Sequence, residues 1–295
     1  MRWDGNRESD NVEDRRSDSG GGGGGGGMIG GRSIGIGTVV IALIGWGVFG
    51  INPLTTIGML SGGSSQPQVQ QQQGPAQKPP ADDKQAKFVS VVLASTEDVW
   101  TKIFQQGGAQ YRDPKLVLFR GAVPTACGTG QSAMGPFYCP GDQKVYLDMN
   151  FFDTLSRQLG APGDFARAYV IAHEVGHHVQ TLLGTTAKVD NMRGRVSQRD
   201  QNALSVRLEL QADCYAGIWA NHSQQAKNWL DQGDIESAMN AAQKIGDDTL
   251  QRQQTGTVRP DGFTHGSSAQ RVRWFTTGLK TGSVQSCDTF NTQSL

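Results

Sequence analysis

Val170-Ile171-Ala172-His173-Glu174-Val175-Gly176-His177-His178-Val179 is the stretch on which the fold turns. Its apolar residues run nearly all the way round a helix, so it belongs in the middle of a domain. Helical positions four apart lie about 40° from each other around the axis. His173 and His177 therefore point the same way, one turn apart, and can bind one metal ion through their imidazoles. Glu174 lies about 100° round from His173, beside the metal rather than on it. From there it can take a proton from a zinc-bound water. Gly176 lets another chain segment or a substrate approach closely. The bland alternative is a pair of satisfied core histidines.

A catalytic zinc usually has three protein ligands and keeps a fourth position for water. The next helix expected, Gln198 to about His222, carries Arg207-Leu208-Glu209-Leu210-Gln211-Ala212-Asp213. Glu209 and Asp213 share a face within an apolar neighbourhood, and buried carboxylates need a partner or a metal. Glu209 is the expected third ligand. Asp213 is expected to accept the free N–H of a ligating histidine, His173. The competing reading is a solvent-facing stripe shared with Arg207.

HExxH followed by a helix bearing ExxxD resembles the gluzincin group of zinc metallopeptidases. The whole chain resembles the bacterial putative neutral zinc metallopeptidase family. The likeness rests on MRWDGNRESDNVEDRR at residues 1–16, the Gly tract, a single apolar span, AHEVGHHVQ (172–180), ELQADCYAG (209–217) and THGSSAQRVRWF (264–275). It implies a mainly α domain with a small β part (α+β, zincin-like), one Zn2+ per chain and a peptide or protein substrate. It also suggests His265 as the late-chain histidine that stabilises the oxyanion. The alternative for His265 is an ordinary helix-entry residue, and Arg271 is a weaker candidate for the same task. His178 reads as a structural histidine and His222 as a helix-end residue. The strand-like stretch Val145–Phe152 precedes the zinc helix, where zincins often add a substrate strand by β-augmentation.

Lys and Arg total 27 and Asp and Glu 27, so the net charge is zero. No basic field is available for nucleic acid. None of the four cysteines has C-x-x-C spacing, which argues against a zinc ribbon. Cys127 and Cys139 bracket a short polar loop and read as a disulfide outside the cytoplasm; Cys214 and Cys287 are a second candidate pair. The alternative is four buried thiols.

Four regions are expected. Residues 1–33 are polar, charged and Gly-rich, and read as a disordered cytoplasmic tail. Ile34 to Ile51 carries no charge, and residues 34–58 read as a transmembrane signal anchor. Residues 59–84 form a Gln/Pro/Gly linker, and 85–295 the metallopeptidase domain. Arg15, Arg16 and Arg32 precede the span and the first basic residue after it is Lys78. The positive-inside rule then sets the N-terminus in the cytoplasm and the domain outside, on the bacterial inner membrane. Within the domain, helices are expected over Phe88–Gln106, Gly163 to about Leu183, Gln198 to about His222, Ile235–Gln253 and Ala269 to about Thr277. Ser95-Thr96-Glu97-Asp98 is a possible cap region and Ser267 a cap for the last helix. Strands are expected at Leu116–Arg120 and Lys144–Asp148. A non-catalytic zinc-stabilised envelope module is the alternative function, and a tethered interaction protein without metal a third.

Overall fold

The computed structural model describes residues 1–18, 76–132 and 135–295. The expected membrane span at 34–58 lies outside them. Among the described residues no helix is long and apolar enough to cross a membrane. The architecture is mainly helical with a small sheet part.

Strand β1 (Val12–Asp14) comes first, followed by helix α1 (Lys84–Gln106). Five strands follow: β2 (Lys115–Phe119), β3 (Ala122–Thr125), β4 (Gly128–Gln131), β5 (Phe137–Cys139) and β6 (Lys144–Asp148). A short helix α2 (Asn150–Asp153) leads to α3 (Asp164–Leu182), which carries the HExxH motif, and then to α4 (Thr185–Asp190). The rest is α5 (Gln198–Lys227), α6 (Asp234–Lys244), α7 (Asp247–Thr255) and α8 (Ser268–Thr281).

One sheet has the order β1-β2-β6-β5, with β1, β2 and β6 parallel and β5 antiparallel to β6. The hairpin β3–β4 is separate. Alternation along β2 divides two cores. Leu116 and Leu118 face the main helical core with Val145 and Leu147 of β6. Val117 and Phe119 face a smaller cluster with Val123, Cys139 and Tyr146. Strand β6 is thus paired on both sides and has no free edge. The substrate strand expected along Val145–Phe152 cannot add there, and Asn150–Asp153 is helix; at that end of the sheet the outer strand is β5.

Three further expectations are corrected. Residues 1–33 are not a disordered tail throughout: residues 1–18 are built into the domain, with Val12 in the main core. Ser95-Thr96-Glu97-Asp98 does not cap a helix but lies inside α1. The cap is Asp83, whose side chain accepts from the Gln85 and Ala86 amides. The polar group inside α1 has buried work instead. Ser95 accepts from the Trp219 indole at 3.1 Å, and Glu97 receives Asn11 at 2.9 Å, Arg7 at 2.9 Å and Ser9. The helix expected over Ile235–Gln253 is two helices, broken at Ile245-Gly246. Ser267 does cap α8, in a reciprocal capping box with Gln270.

Both cysteine pairs are disulfides. Cys127–Cys139 ties the β3–β4 turn to β5, and Cys214–Cys287 ties α5 to the C-terminal turn. Helices α5 and α8 cross closely because Gly278 meets the α5 backbone: a Cβ there would lie 1.9 Å from the Cys214 carbonyl oxygen.

Candidate metal centre

Helices α3 and α5 cross at Gly176, where a Cβ would meet the Ala212 carbonyl oxygen at 3.0 Å and its Cα at 3.1 Å. The close approach Gly176 permits is thus that of α5. It brings the ExxxD face of α5 over the two motif imidazoles. Their ring centroids are 4.8 Å apart with planes at 89°. Glu209 Oε2 lies 3.2 Å from His173 Nε2, and Oε1 lies 3.5 Å from His177 Nε2. One ligand atom from each of the three residues falls within 4.8 Å of the others.

Both rings are locked from behind. His173 Nδ1–H donates to Asp213 Oδ1 at 2.8 Å, and His177 Nδ1–H donates to Gln180 Oε1 at 2.9 Å. These acceptors fix the tautomer in which both Nε2 atoms face the common point. Two imidazoles and one carboxylate match the three-ligand donor set of a catalytic zinc site, so the residues present fit that metal.

Asp213 is fully buried, which rules out the solvent-facing stripe. Arg271 Nε reaches its Oδ2 at 2.9 Å, Arg271 Nη2 its Oδ1 at 2.9 Å, and the Tyr169 hydroxyl donates to Oδ1 at 2.5 Å. Burial opposes ionisation, but Arg271 and His173 hold the carboxyl down at about 2. Arg271 also donates to the Ile245 carbonyl at 3.3 Å and is 3% exposed. It is therefore a buried partner of Asp213 and not a donor to an oxyanion, which removes its candidacy for that role.

Burial disfavours the charged form of His173, yet Asp213 and Glu209 outweigh it and push the pKa up to about 10. His177 is raised too, against the same burial penalty, by Glu209. Burial likewise opposes a charge on Glu209, but His177, His265 and the imidazole hydrogen bonds hold it well below the usual carboxylate range. Glu174, 8% exposed, moves the other way: burial raises it, and the two histidines only partly offset this.

His265 stands near enough to Glu209 for each to feel the other's charge. It is held by Asp247, the first residue of α7. Asp247 Oδ2 accepts from the Thr264, His265 and Gly266 amides at 2.7, 2.7 and 3.1 Å, and Oδ1 lies 3.3 Å from His265 Nδ1. Gly266 has φ +94°, which turns the chain from this clamp into the α8 cap. His178 is structural: its Nε2 donates to the Arg112 carbonyl at 2.6 Å and its Nδ1 accepts from Tyr138 at 3.1 Å. Burial pushes it down to about 4. His222 does not end its helix, which runs on to Lys227; its Nε2 donates to the Gly282 carbonyl at 2.9 Å.

The sequence reading missed Tyr169, Gln180 and Asp247. Tyr169 is four residues before His173 and Gln180 three after His177, so helix periodicity could have put both on the metal face. Nothing in the sequence around Asp247 points to His265.

The model of the family described as "Putative neutral zinc metallopeptidase" matches residues 1–290. "Uncharacterized protein YpfJ" of Escherichia coli strain K12 is 52% identical over 293 residues, 98% of this chain and 99% of that one. "Uncharacterized protein Rv2575" of Mycobacterium tuberculosis strain H37Rv is 42% identical over 221 residues, 71% of this chain and 73% of that one. No solved structure matches. With the match running from residue 1 through α3, α5 and α8, the chain belongs to the putative neutral zinc metallopeptidase family.

Proposed function

We propose that this protein is a zinc-dependent peptidase with a gluzincin-like centre, hydrolysing peptide bonds in peptide or protein substrates. One zinc ion per chain would be held by His173, His177 and Glu209. The observation that carries the reading is the convergence of those three ligand atoms beside a buried carboxylate, Glu174, that is not among them. When bound, the metal supplies Lewis-acid polarisation to a water molecule and to the substrate carbonyl.

Glu174 takes a proton from the attacking water as its oxygen bonds to the carbonyl carbon. The same carboxyl then gives the proton to the amine nitrogen as the C–N bond breaks. A pKa raised by burial suits a group that must both accept and release that proton. His265, whose charged form Glu209 and Asp247 favour against burial, would hydrogen-bond the carbonyl oxygen as it gains charge. An extended substrate would align with β5, which adjoins the metal helix through Tyr138 and His178. The two disulfides support an oxidising location in the cell envelope.

A structural zinc site would be closed by a fourth protein ligand. Among the described residues the converging group has three members, and Cys214, the sulfur nearest in sequence, is bonded to Cys287. The peptidase reading is tested on the full-length chain, because residues 1–18 belong to the folded domain. Metal analysis should give about one zinc per chain for wild type and for Glu174→Gln. Cleavage of a mixed peptide library should fall about 10²–10⁴-fold in the variant. Equal cleavage by the two proteins, or full zinc loading with no cleavage by wild type, would reject it.

A further inference from the structure

Residues 1–18 are interlocked with the domain that carries the metal centre. Strand β1 lies in register beside β2, with Val12 opposite Leu116 and Asp14 opposite Leu118. The Leu116 amide donates to the Asn11 carbonyl at 2.9 Å and the Arg15 amide to the Leu118 carbonyl at 2.8 Å. Glu97, buried within α1, receives the side chains of Arg7, Ser9 and Asn11. Arg16 reaches Asp83, the cap of α1, at 2.6 Å. The Trp3 indole donates to Asp164, the first residue of the metal helix, at 2.9 Å.

The residues that bracket the intervening segment meet each other. Asp14 forms a bridge with Gln77, and its amide donates to the Gln77 carbonyl at 2.7 Å. Between them the sequence holds the uncharged run Ile34 to Ile51, the one expected to cross a membrane once. A single crossing would separate its flanks by a hydrocarbon core of about 30 Å. Backbone partners 2.7 Å apart cannot stand on opposite sides of it.

We infer that residues 1–18 and the candidate metal centre lie on the same side of any membrane the chain meets. This differs from the orientation expected from sequence, with residues 1–33 cytoplasmic and the domain outside. Two of the three arginines counted for that orientation, Arg15 and Arg16, have partners within the fold. Arg16 is committed to Asp14 and Asp83, and Arg15 to Glu13 and Asp18. These arginines hold the fold together, so they are not a free topology signal.

The test uses the full-length chain in cells whose outer membrane has been permeabilised. Two single variants are labelled with a membrane-impermeant maleimide, before and after lysis: Asp10→Cys, whose side chain is 89% exposed, and Asp261→Cys, 76% exposed. Wild type, with its cysteines paired, sets the background. A second pair, Asp4→Cys and Arg157→Cys, repeats the measurement at other exposed sites, and each variant must melt as wild type does. The expected result is that the members of each pair label together, either before lysis or only after it. One member labelling before lysis and the other only afterwards, in either pair, overturns the inference.

Discussion

On one side of the candidate metal centre His173 gives its Nδ1 hydrogen to a carboxylate; on the other, His177 gives its own to a neutral amide. The first side is a charged knot of Asp213, Arg271 and Tyr169 sealed between α3, α5 and α8. The second is an amide chain. Gln180, fully buried, donates to the Leu208 carbonyl at 2.7 Å and to Gln211 Oε1 at 3.1 Å, and Gln211 donates to the Cys287 carbonyl at 3.0 Å. Both arrangements aim an imidazole at the same point. They differ in how much depends on them. A buried charge left without its partner costs far more than a buried amide that loses a hydrogen bond.

Asp213→Ala should therefore be the most damaging change on either side. It leaves the Arg271 guanidinium buried and uncompensated, at a cost of about 3–5 kcal/mol in unfolding free energy, read by denaturant titration. Zinc affinity should fall about 10–100-fold. The pH dependence carries the sign of the effect. In the metal-free protein His173 is raised from about 6.5 in model peptides to about 10. Its contribution to stability is then fully present below about pH 6.5 and lost as pH climbs through about 10. Zinc must displace that proton, so wild-type affinity should rise with pH across the same window, with proton release on binding. Asp213→Ala removes the main cause of the elevation and should flatten that rise. An unchanged pH profile in the variant would mean that the carboxylate does not set the character of His173.

Gln180→Ala tests the neutral side. It leaves the Leu208 carbonyl, Gln211 and the His177 N–H without their partner, at about 1–3 kcal/mol. Zinc affinity should drop by about tenfold as the His177 ring loses its orientation. Because no charge is removed, the rise of affinity with pH should survive. If this variant lost more stability than Asp213→Ala, the contrast between a charged and a neutral side would be wrong.

How much of this was legible beforehand follows from where the partners sit in sequence. The metal face of α3 was readable because helical periodicity is local: His173 and His177 announce each other across four residues. Glu209 and Asp213 were readable for the same reason, on a second helix whose apolar neighbours demanded an explanation for two carboxylates. The clamp on His265 was not readable, because Asp247 reaches it across 18 residues, with α7 and the turn after it in between. The least legible part was β1. Three residues with no apolar alternation, VED, become a strand only because the edge of β2 is waiting for them. The one local hint was Glu97, a buried carboxylate of α1 one helical turn from the buried Leu93 and Trp100, whose partners lie more than 80 residues away.

The mildest change sharpens the charged side from within. Tyr169→Phe removes one donor from Asp213 and keeps the ring, which packs edge-on against Phe275 with centroids 5.3 Å apart. Asp213 would retain Arg271 through both its oxygens and His173 through Oδ1. The loss should be about 1 kcal/mol, with zinc affinity down less than about tenfold and its pH dependence intact. The order Asp213→Ala, then Gln180→Ala, then Tyr169→Phe is what a buried charge at the hub requires. A Tyr169→Phe variant as unstable as Asp213→Ala would shift the hub from the carboxylate to the hydroxyl. Arg271 Nη2, 3.3 Å from that hydroxyl, would then need the tyrosine, and not the aspartate, to stay buried.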